Sequence, residues 1–295
     1  MHLCSLCPRN CHVDRDLNLG VCKMTDQIYL ARAALHYWEE PCISGNTGSG
    51  TVFFCGCNLH CVYCQNYEIA HAASGKEVSL SRLADIFLEL QDQGAANLNL
   101  VTPTHYVLQI ISAVKMARNR GLKIPLVYNT SGYEKVETLK MLEGIVDVYL
   151  TDFKYWEEKT ALAYSKAGDY PKVAKMAVEE MVSQVPHPVF DKSGMMQKGV
   201  IVRHLLLPGH VHEAKNVVKY LYETYGSCIC LSLLNQYTPS KRLQKKYPEI
   251  ARKTTKREYD ALTDYACTLG IGQAYIQEGD TAKESFIPSF HYEGV

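Results

Sequence analysis

From Thr51 onward, short apolar runs alternate with segments of helical period, and this alternation restricts the fold more than any other feature of the chain. The apolar runs are T-V-F-F-C (51–55), N-L-N-L-V-T (97–102), K-I-P-L-V-Y-N (123–129), V-D-V-Y-L-T-D (146–152), Gly199 to Leu207 and C-I-C-L-S-L-L (228–234). Between them lie helical patterns over Ser79–Gln93, His105–Asn119, Glu134–Leu142, most of Tyr155–Gln184 and His212–Tyr225, with a last one over Lys256–Leu269. Strands that alternate with helices require right-handed crossovers and a parallel sheet. Six such units predict an α/β fold, a partial (β/α) barrel of about six parallel strands, because a full barrel needs eight. In that geometry chemistry gathers where strands end and loops begin. Those segments read C-G-C-N-L-H-C, T-P-T-H, N-T-S-G-Y, T-D-F-K, L-P-G-H and N-Q-Y.

The cysteines are distributed just as unevenly. Nine of the 12 fall in the first 64 residues, and none occurs between Gln65 and Ser227. The opening M-H-L-C-S-L-C-P-R-N lacks the apolar core of a secretory signal, and no run approaches the ~20 apolar residues of a membrane span. A chain so rich in cysteine and without such signals is expected in the reducing cytoplasm, where metal or catalytic roles outrank disulfides. With 31 basic and 31 acidic side chains the net charge is zero, which removes the electrostatic case for nucleic acid or an anionic membrane as partner. The basic stretches 241–248 and 252–257 read as solvated helix faces. The chain divides into a loop-rich, Cys-rich N-terminal metal segment (1–48), the partial barrel (49–240) and a C-terminal helical extension and tail (241–295).

Directly after the first strand, Cys57, Cys61 and Cys64 stand in C-x3-C-x2-C spacing. Three thiolates on one short loop suit an iron–sulfur cluster, and a cubane held by three leaves one iron open, as a catalytic metal requires. A zinc site completed by His60 or Cys55 is the alternative, although structural zinc favours paired C-x2-C knuckles. The segment C-N-L-H-C-V-Y-C resembles the signature of the radical S-adenosylmethionine (radical SAM) superfamily. The wider G-C-N-L-x-C-x-Y-C-x-N resembles its pyruvate formate-lyase activating enzyme branch and uncharacterised relatives, in which the N-terminal C-S-L-C-P-R-N-C-H-V-D-R is also typical. The resemblance covers about Thr51 to Tyr237.

What this resemblance implies is a [4Fe-4S] cluster on Cys57, Cys61 and Cys64, with S-adenosylmethionine chelating the fourth iron. A low-potential donor of the flavodoxin or ferredoxin type would reduce it, and hydrogen would be abstracted from a substrate. That substrate would be a glycyl-radical enzyme or, alternatively, a small molecule, peptide or RNA. Outside this class, a non-catalytic zinc or electron-transfer protein is the competing reading. Carried over residue by residue, Tyr63 matches the aromatic beside the adenine. Thr102 and Thr104 stand where the family often has Gly-Gly-Glu around the methionine amino group. Asn129 and Ser131 match polar contacts to ribose or carboxylate, and Asp152 and Lys154 match an Asp-x-Lys pair. Arg203 is a strand cation suited to a carboxylate.

Cations buried at a barrel mouth need acidic partners or a ligand, so Lys154 and Arg203 are expected to meet one. His105, His204 and His210 read as structural histidines near the mouth. Tyr128, Tyr133, Tyr149 and Tyr155 flank it as half-buried tyrosines or pocket walls. Cys4, Cys7, Cys11 and Cys22 supply four thiolates, enough for a second metal, structural zinc or an auxiliary cluster. A metal there would stabilise a segment with little core of its own. Cys42, Cys55, Cys228, Cys230 and Cys267 remain as packing residues, with Cys228 and Cys230 on one face of a strand.

Overall fold

The structure is a computed structural model that describes residues 3–72, 75–272, 274–277, 288 and 290–295. In chain order its elements are β1 (Ile28–His36), α1 (Pro41–Ser44), β2 (Ser49–Phe54), α2 (Tyr67–Ala70), β3 (Lys76–Val78), α3 (Leu80–Asp92) and β4 (Leu98–Val101). Then follow α4 (Val107–Asn119), β5 (Leu126–Thr130), α5 (Val136–Lys140), β6 (Val148–Asp152), α6 (Glu158–Ser165) and α7 (Tyr170–Gln184). The last are β7 (Val189–Phe190), β8 (Met196–Leu205), α8 (Val211–Tyr225), β9 (Cys230–Leu234), α9 (Lys256–Thr268) and β10 (Ala274–Ile276).

The expected parallel core is present. The sheet runs β10-β9-β8-β6-β5-β4-β2-β1-β3, and from β10 to β2 every pairing is parallel. Among the described residues its two ends do not pair, so the barrel stays open. The helices form where the sequence patterns place them, for local reasons. In α3, for example, the Ser79 hydroxyl accepts the Arg82 N–H at 3.1 Å, and Leu83, Ile86, Phe87 and Leu90 are buried on one face.

The two ends of the chain depart from expectation. Residues 1–48 are not loop throughout. They contain the nine-residue β1, antiparallel to β2, followed by α1. The tail also holds β10, on the opposite edge. Residues near the C-terminus return to β1, where the Ala33 N–H donates to the Glu293 carbonyl at 2.8 Å and Arg32 pairs with Glu293 at 2.7 Å. Covering that edge shields an otherwise open row of backbone groups.

α1 enters the barrel and closes its lower end. Cys42 and Ile43 pack with Val127, Val148, Leu150, Ile201 and Cys230, the inward-facing residues of four strands. Burying Ile43 completely contributes roughly 1.5–3 kcal/mol. A short helix in a barrel must satisfy its carbonyls locally. Asn97 does so, donating its amide to the Ile43 carbonyl at 2.7 Å while accepting from the Ser49 hydroxyl at 2.6 Å. Above this apolar floor the inner face turns polar, and there the site begins.

Candidate active site

The loop after β2 starts at Gly56, whose φ of +84° turns the chain out of the strand. The Cys57 N–H then donates to the Cys22 carbonyl at 3.2 Å, and the Val62 N–H to the Tyr164 carbonyl at 2.8 Å. The Asn58 amide donates to the Tyr133 carbonyl at 2.8 Å. Arg9 reaches across from the N-terminal segment, its guanidinium donating to the carbonyls of Asn58, Leu59, Ser165 and Lys166. Held in this way, Cys57, Cys61 and Cys64 all line one cavity of about 220 Å³ at the C-terminal ends of the strands. Burial, reinforced by Cys61, pushes the Cys57 thiol up to about 11. Burial raises Cys64 as well, with Cys61 and Cys57 adding to it and Lys154 opposing. A metal that takes these sulfurs as thiolates therefore releases protons on binding.

A charged network faces the thiols across the cavity. Asp152 ends β6 directly in register with Arg203 on β8. The guanidinium donates to Asp152 at 3.1 Å, to Glu39 at 3.1 Å and to Asn129 at 2.6 Å, and Lys154 pairs with Asp152 at 2.6 Å. Burial alone would raise Asp152, but Lys154 and Arg203 outweigh it and hold the carboxyl below its ordinary value. Burial likewise opposes the Lys154 charge, and Asp152 restores it, so the ammonium titrates above its ordinary range. The acidic group that Arg203 required thus comes from two directions. Glu39, on the segment leading into α1, was not picked out in the sequence, where Y-W-E-E-P carries no periodic signal. The sequence offered only the general demand of a buried cation for an acidic partner or a ligand. Glu39 also accepts from the Asn99 amide at 3.1 Å and the Asn129 amide at 3.3 Å. Its neighbour Glu40 is buried beside Arg203, and burial raises its carboxyl.

Of the remaining residues singled out in the sequence, Tyr63, Thr102, Asn129, Ser131, Asp152, Lys154 and Arg203 line the cavity. Tyr63 stands edge-on to Tyr155, Tyr164 and Tyr237, at 6.4, 6.4 and 5.9 Å between ring centroids. Thr102 has a φ of +59°, a backbone that a glycine adopts freely and a β-branched residue only under strain. Thr104 is not among the lining residues. Its hydroxyl donates at 2.5 Å to Glu134, a buried carboxyl that Thr130 also contacts. Burial pushes Glu134 up to about 7.

The three histidines stand apart from the lining. His105 donates to the Cys55 carbonyl at 2.7 Å, His204 to the Phe153 carbonyl at 2.7 Å, and His210 lies against Glu213. Tyr128, Tyr133, Tyr149 and Tyr155 are fully buried rather than half-buried, and none lines the cavity. Cys228 lies in a short 3-10 turn before β9, so it does not share a strand face with Cys230, and Cys267 is exposed rather than packed. In the basic stretch, Lys241, Lys245 and Lys246 are exposed, while the Arg242 guanidinium sits 3.3 Å over the Tyr67 ring.

Among the described residues no three His, Cys, Asp or Glu side chains converge on a point suited to a single metal ion. An iron–sulfur cube makes a different demand, since each thiolate binds its own iron, and three sulfurs spread around one cavity fit that donor set. Cys4, Cys7, Cys11 and Cys22 gather on the N-terminal loops. A Cβ placed on Gly20 would lie 3.1 Å from the Cys22 sulfur and 3.7 Å from that of Cys11, and burial raises the Cys7 thiol, with Cys22 and Cys4 adding to it.

Fold and cavity together define a parallel-sheet enzyme scaffold with three thiols at the end of its first parallel strand. The family model of the radical SAM superfamily matches residues 51–220, and the chain belongs to that superfamily. Its members are enzymes that use a [4Fe-4S] cluster and S-adenosylmethionine. An uncharacterized protein of Methanocaldococcus jannaschii is 28% identical over 282 residues, covering 92% of this chain and 76% of that one. Among solved structures, Streptococcus suis SuiB bound to S-adenosylmethionine aligns with a TM-score of 0.50 at 17% identity, over 76% of this chain. The FeFe-hydrogenase maturase HydG from Carboxydothermus hydrogenoformans aligns with a TM-score of 0.50 at 13% identity, over 80% of this chain. The chain spans about half the length of each, 48% and 55%, and the likeness is one of fold. No helix among the described residues is long and apolar enough to cross a membrane.

Proposed function

We propose that Cys57, Cys61 and Cys64 hold the [4Fe-4S] cluster, and that the enzyme cleaves S-adenosylmethionine reductively and takes a hydrogen atom from a glycine of a partner protein. The observation that carries this reading is the shared cavity, which sets three thiols opposite the Asp152–Lys154–Arg203–Glu39 network at the strand ends. When bound, cluster and cofactor supply one-electron cleavage to a 5′-deoxyadenosyl radical. The chain's own residues bind, orient and exclude. Arg203 and Lys154 offer cationic contacts for a carboxylate, and Glu39 and Asp152 offer anionic ones for an ammonium, so the network suits the amino-acid end of the cofactor. Asn129, Ser131 and the strained Thr102 supply polar groups along the same wall. Tyr63 and its ring of tyrosines close the side of the cavity against water, which strengthens every charge inside it.

The Asp152-x-Lys154 pair and the loop around the cysteines support an activating-enzyme role, with a low-potential flavodoxin or ferredoxin as donor in a reducing cytoplasm. We assign the quartet Cys4, Cys7, Cys11 and Cys22 a metal of its own, an auxiliary cluster or a zinc that would have to draw these gathered but unconverged sulfurs together as it binds. Anaerobic reconstitution tests the whole reading. The cluster's electron paramagnetic resonance signal should change on adding S-adenosylmethionine, and dithionite should yield 5′-deoxyadenosine. Replacing Cys61 with Ala should abolish both. Zinc throughout with no iron would refute the proposal. Deuterium that enters deoxyadenosine from a labelled small molecule, peptide or RNA, rather than from a protein glycine, would redirect the substrate.

A further inference from the structure

Ser165 is 104 residues from Cys61 in the chain, yet its hydroxyl donates to the Cys61 sulfur at 3.1 Å. The serine is almost fully buried, at 1% exposure. Its oxygen also lies 2.6 Å from the hydroxyl of Tyr155, a residue with no exposed surface. Three restraints fix it there. Ser165 is the last residue of α6, followed by Lys166 in the left-handed conformation at φ +49°. The preceding carbonyl, of Tyr164, accepts the Val62 N–H, and the Ser165 carbonyl itself accepts from Arg9 at 2.9 Å.

A sulfur bound to iron is a thiolate and carries no proton, so it can only accept a hydrogen bond. The single Ser165 hydroxyl proton must then point at the sulfur, which leaves its lone pair open to the proton of Tyr155. The result is a directed chain, Tyr155 to Ser165 to Cys61, in which each bond polarises the next.

We propose that Ser165, supported by Tyr155, is a positioning residue that raises the reduction potential of the centre held through Cys61. The proposal rests on the reading of Cys57, Cys61 and Cys64 as cluster ligands. Reduction adds an electron to the cluster, and donors to its sulfurs stabilise the more negative state. Water cannot replace a hydroxyl in so closed a position, so removing it leaves the sulfur with one donor fewer. Cys57 is served differently, by the backbone N–H of Leu59 at 3.3 Å. α6 thus acts as a brace for the cluster loop.

The test is a potentiometric titration of reconstituted protein, without cofactor or substrate, followed by the paramagnetic signal of the reduced cluster at matched iron content. Ser165→Ala should move the midpoint to a more negative potential, so that at the parent midpoint the reduced fraction falls several-fold. Ser165→Thr should stay near the parent, and Tyr155→Phe should shift in the same direction by less. A Ser165→Ala protein with full iron and the parental midpoint overturns the proposal. If that variant fails to retain iron, Tyr155→Phe and Ser165→Thr decide. Parental midpoints in Tyr155→Phe together with a shifted midpoint in Ser165→Thr would overturn it. A parent protein that binds no iron, or releases no deoxyadenosine under dithionite, refutes the cluster reading instead.

Discussion

Replacing Arg203 with Met removes a cation that touches both Asp152 and Glu39. The guanidinium is 13% exposed, with Glu39 at 11% and Asp152 at 19%. At such burial a single charge pair at this separation is worth about 5 kcal/mol before desolvation. Asp152 keeps Lys154 at 2.6 Å, so the loss falls on Glu39, left with the amides of Asn99 and Asn129, and on the buried Glu40 beside it. Leaving one member of a buried pair without its partner costs about 3–5 kcal/mol, and the remaining amides place this case near the lower end. A loss of about 3 kcal/mol lowers the melting temperature on the order of 10 °C. Glu39→Gln should relieve much of the strain in Arg203→Met, so the double variant should be more stable than the sum of the singles by at least about 1 kcal/mol. Urea unfolding followed by circular dichroism, anaerobically and at equal iron content, measures all four proteins. Single and double effects that simply add, or an Arg203→Met within about 0.5 kcal/mol of the parent, would refute the reasoning.

Glu134 ties stability to pH. Its rise from 4.5 to about 7 means that the folded protein keeps a proton there which the unfolded chain has released. Its contribution is therefore neutral below about pH 4.5 and destabilising above about pH 7, by at most about 3 kcal/mol. Across that window Glu134→Gln should gain stability relative to the parent as pH rises, and parallel pH–stability curves would contradict this. Arg9→Met strips donors from four carbonyls of the cluster loop and α6, and should cost about 1–2 kcal/mol and speed iron loss in air, seen by iron assay. Gly56→Ala would place a Cβ 2.3 Å from Met24 Cγ and 2.7 Å from the Cys22 carbonyl oxygen, at a φ of +84°. It should cost at least about 2 kcal/mol in a melting experiment, more than Gly94→Ala, whose Cβ would meet nothing within 4 Å.

The parallel core was legible because strand and helix periods are local. L-V-Y-N-T, for instance, forms a fully buried strand at the position its pattern assigned. β1 was not, since I-Y-L-A-R-A-A-L-H mixes strand formers with alanines, and its register comes from pairing with β2 rather than from its own pattern. Thr102 and Thr104 looked equivalent in sequence, but two residues later the chain has turned, and Thr104 serves Glu134 instead of the cavity. Glu39 carried no pattern at all.

The sequence by itself determined the alternation that makes a parallel sheet and the three thiols closing its first parallel strand, because both are written within a few residues. Only the tertiary structure decided that α1 fills the barrel from below, that Glu39 meets Arg203 from 164 residues away, and that Ser165 meets Cys61 from 104 away. A buried charge or sulfur is tuned by whatever the folded chain brings within about 3 Å of it, and no local pattern records that neighbour.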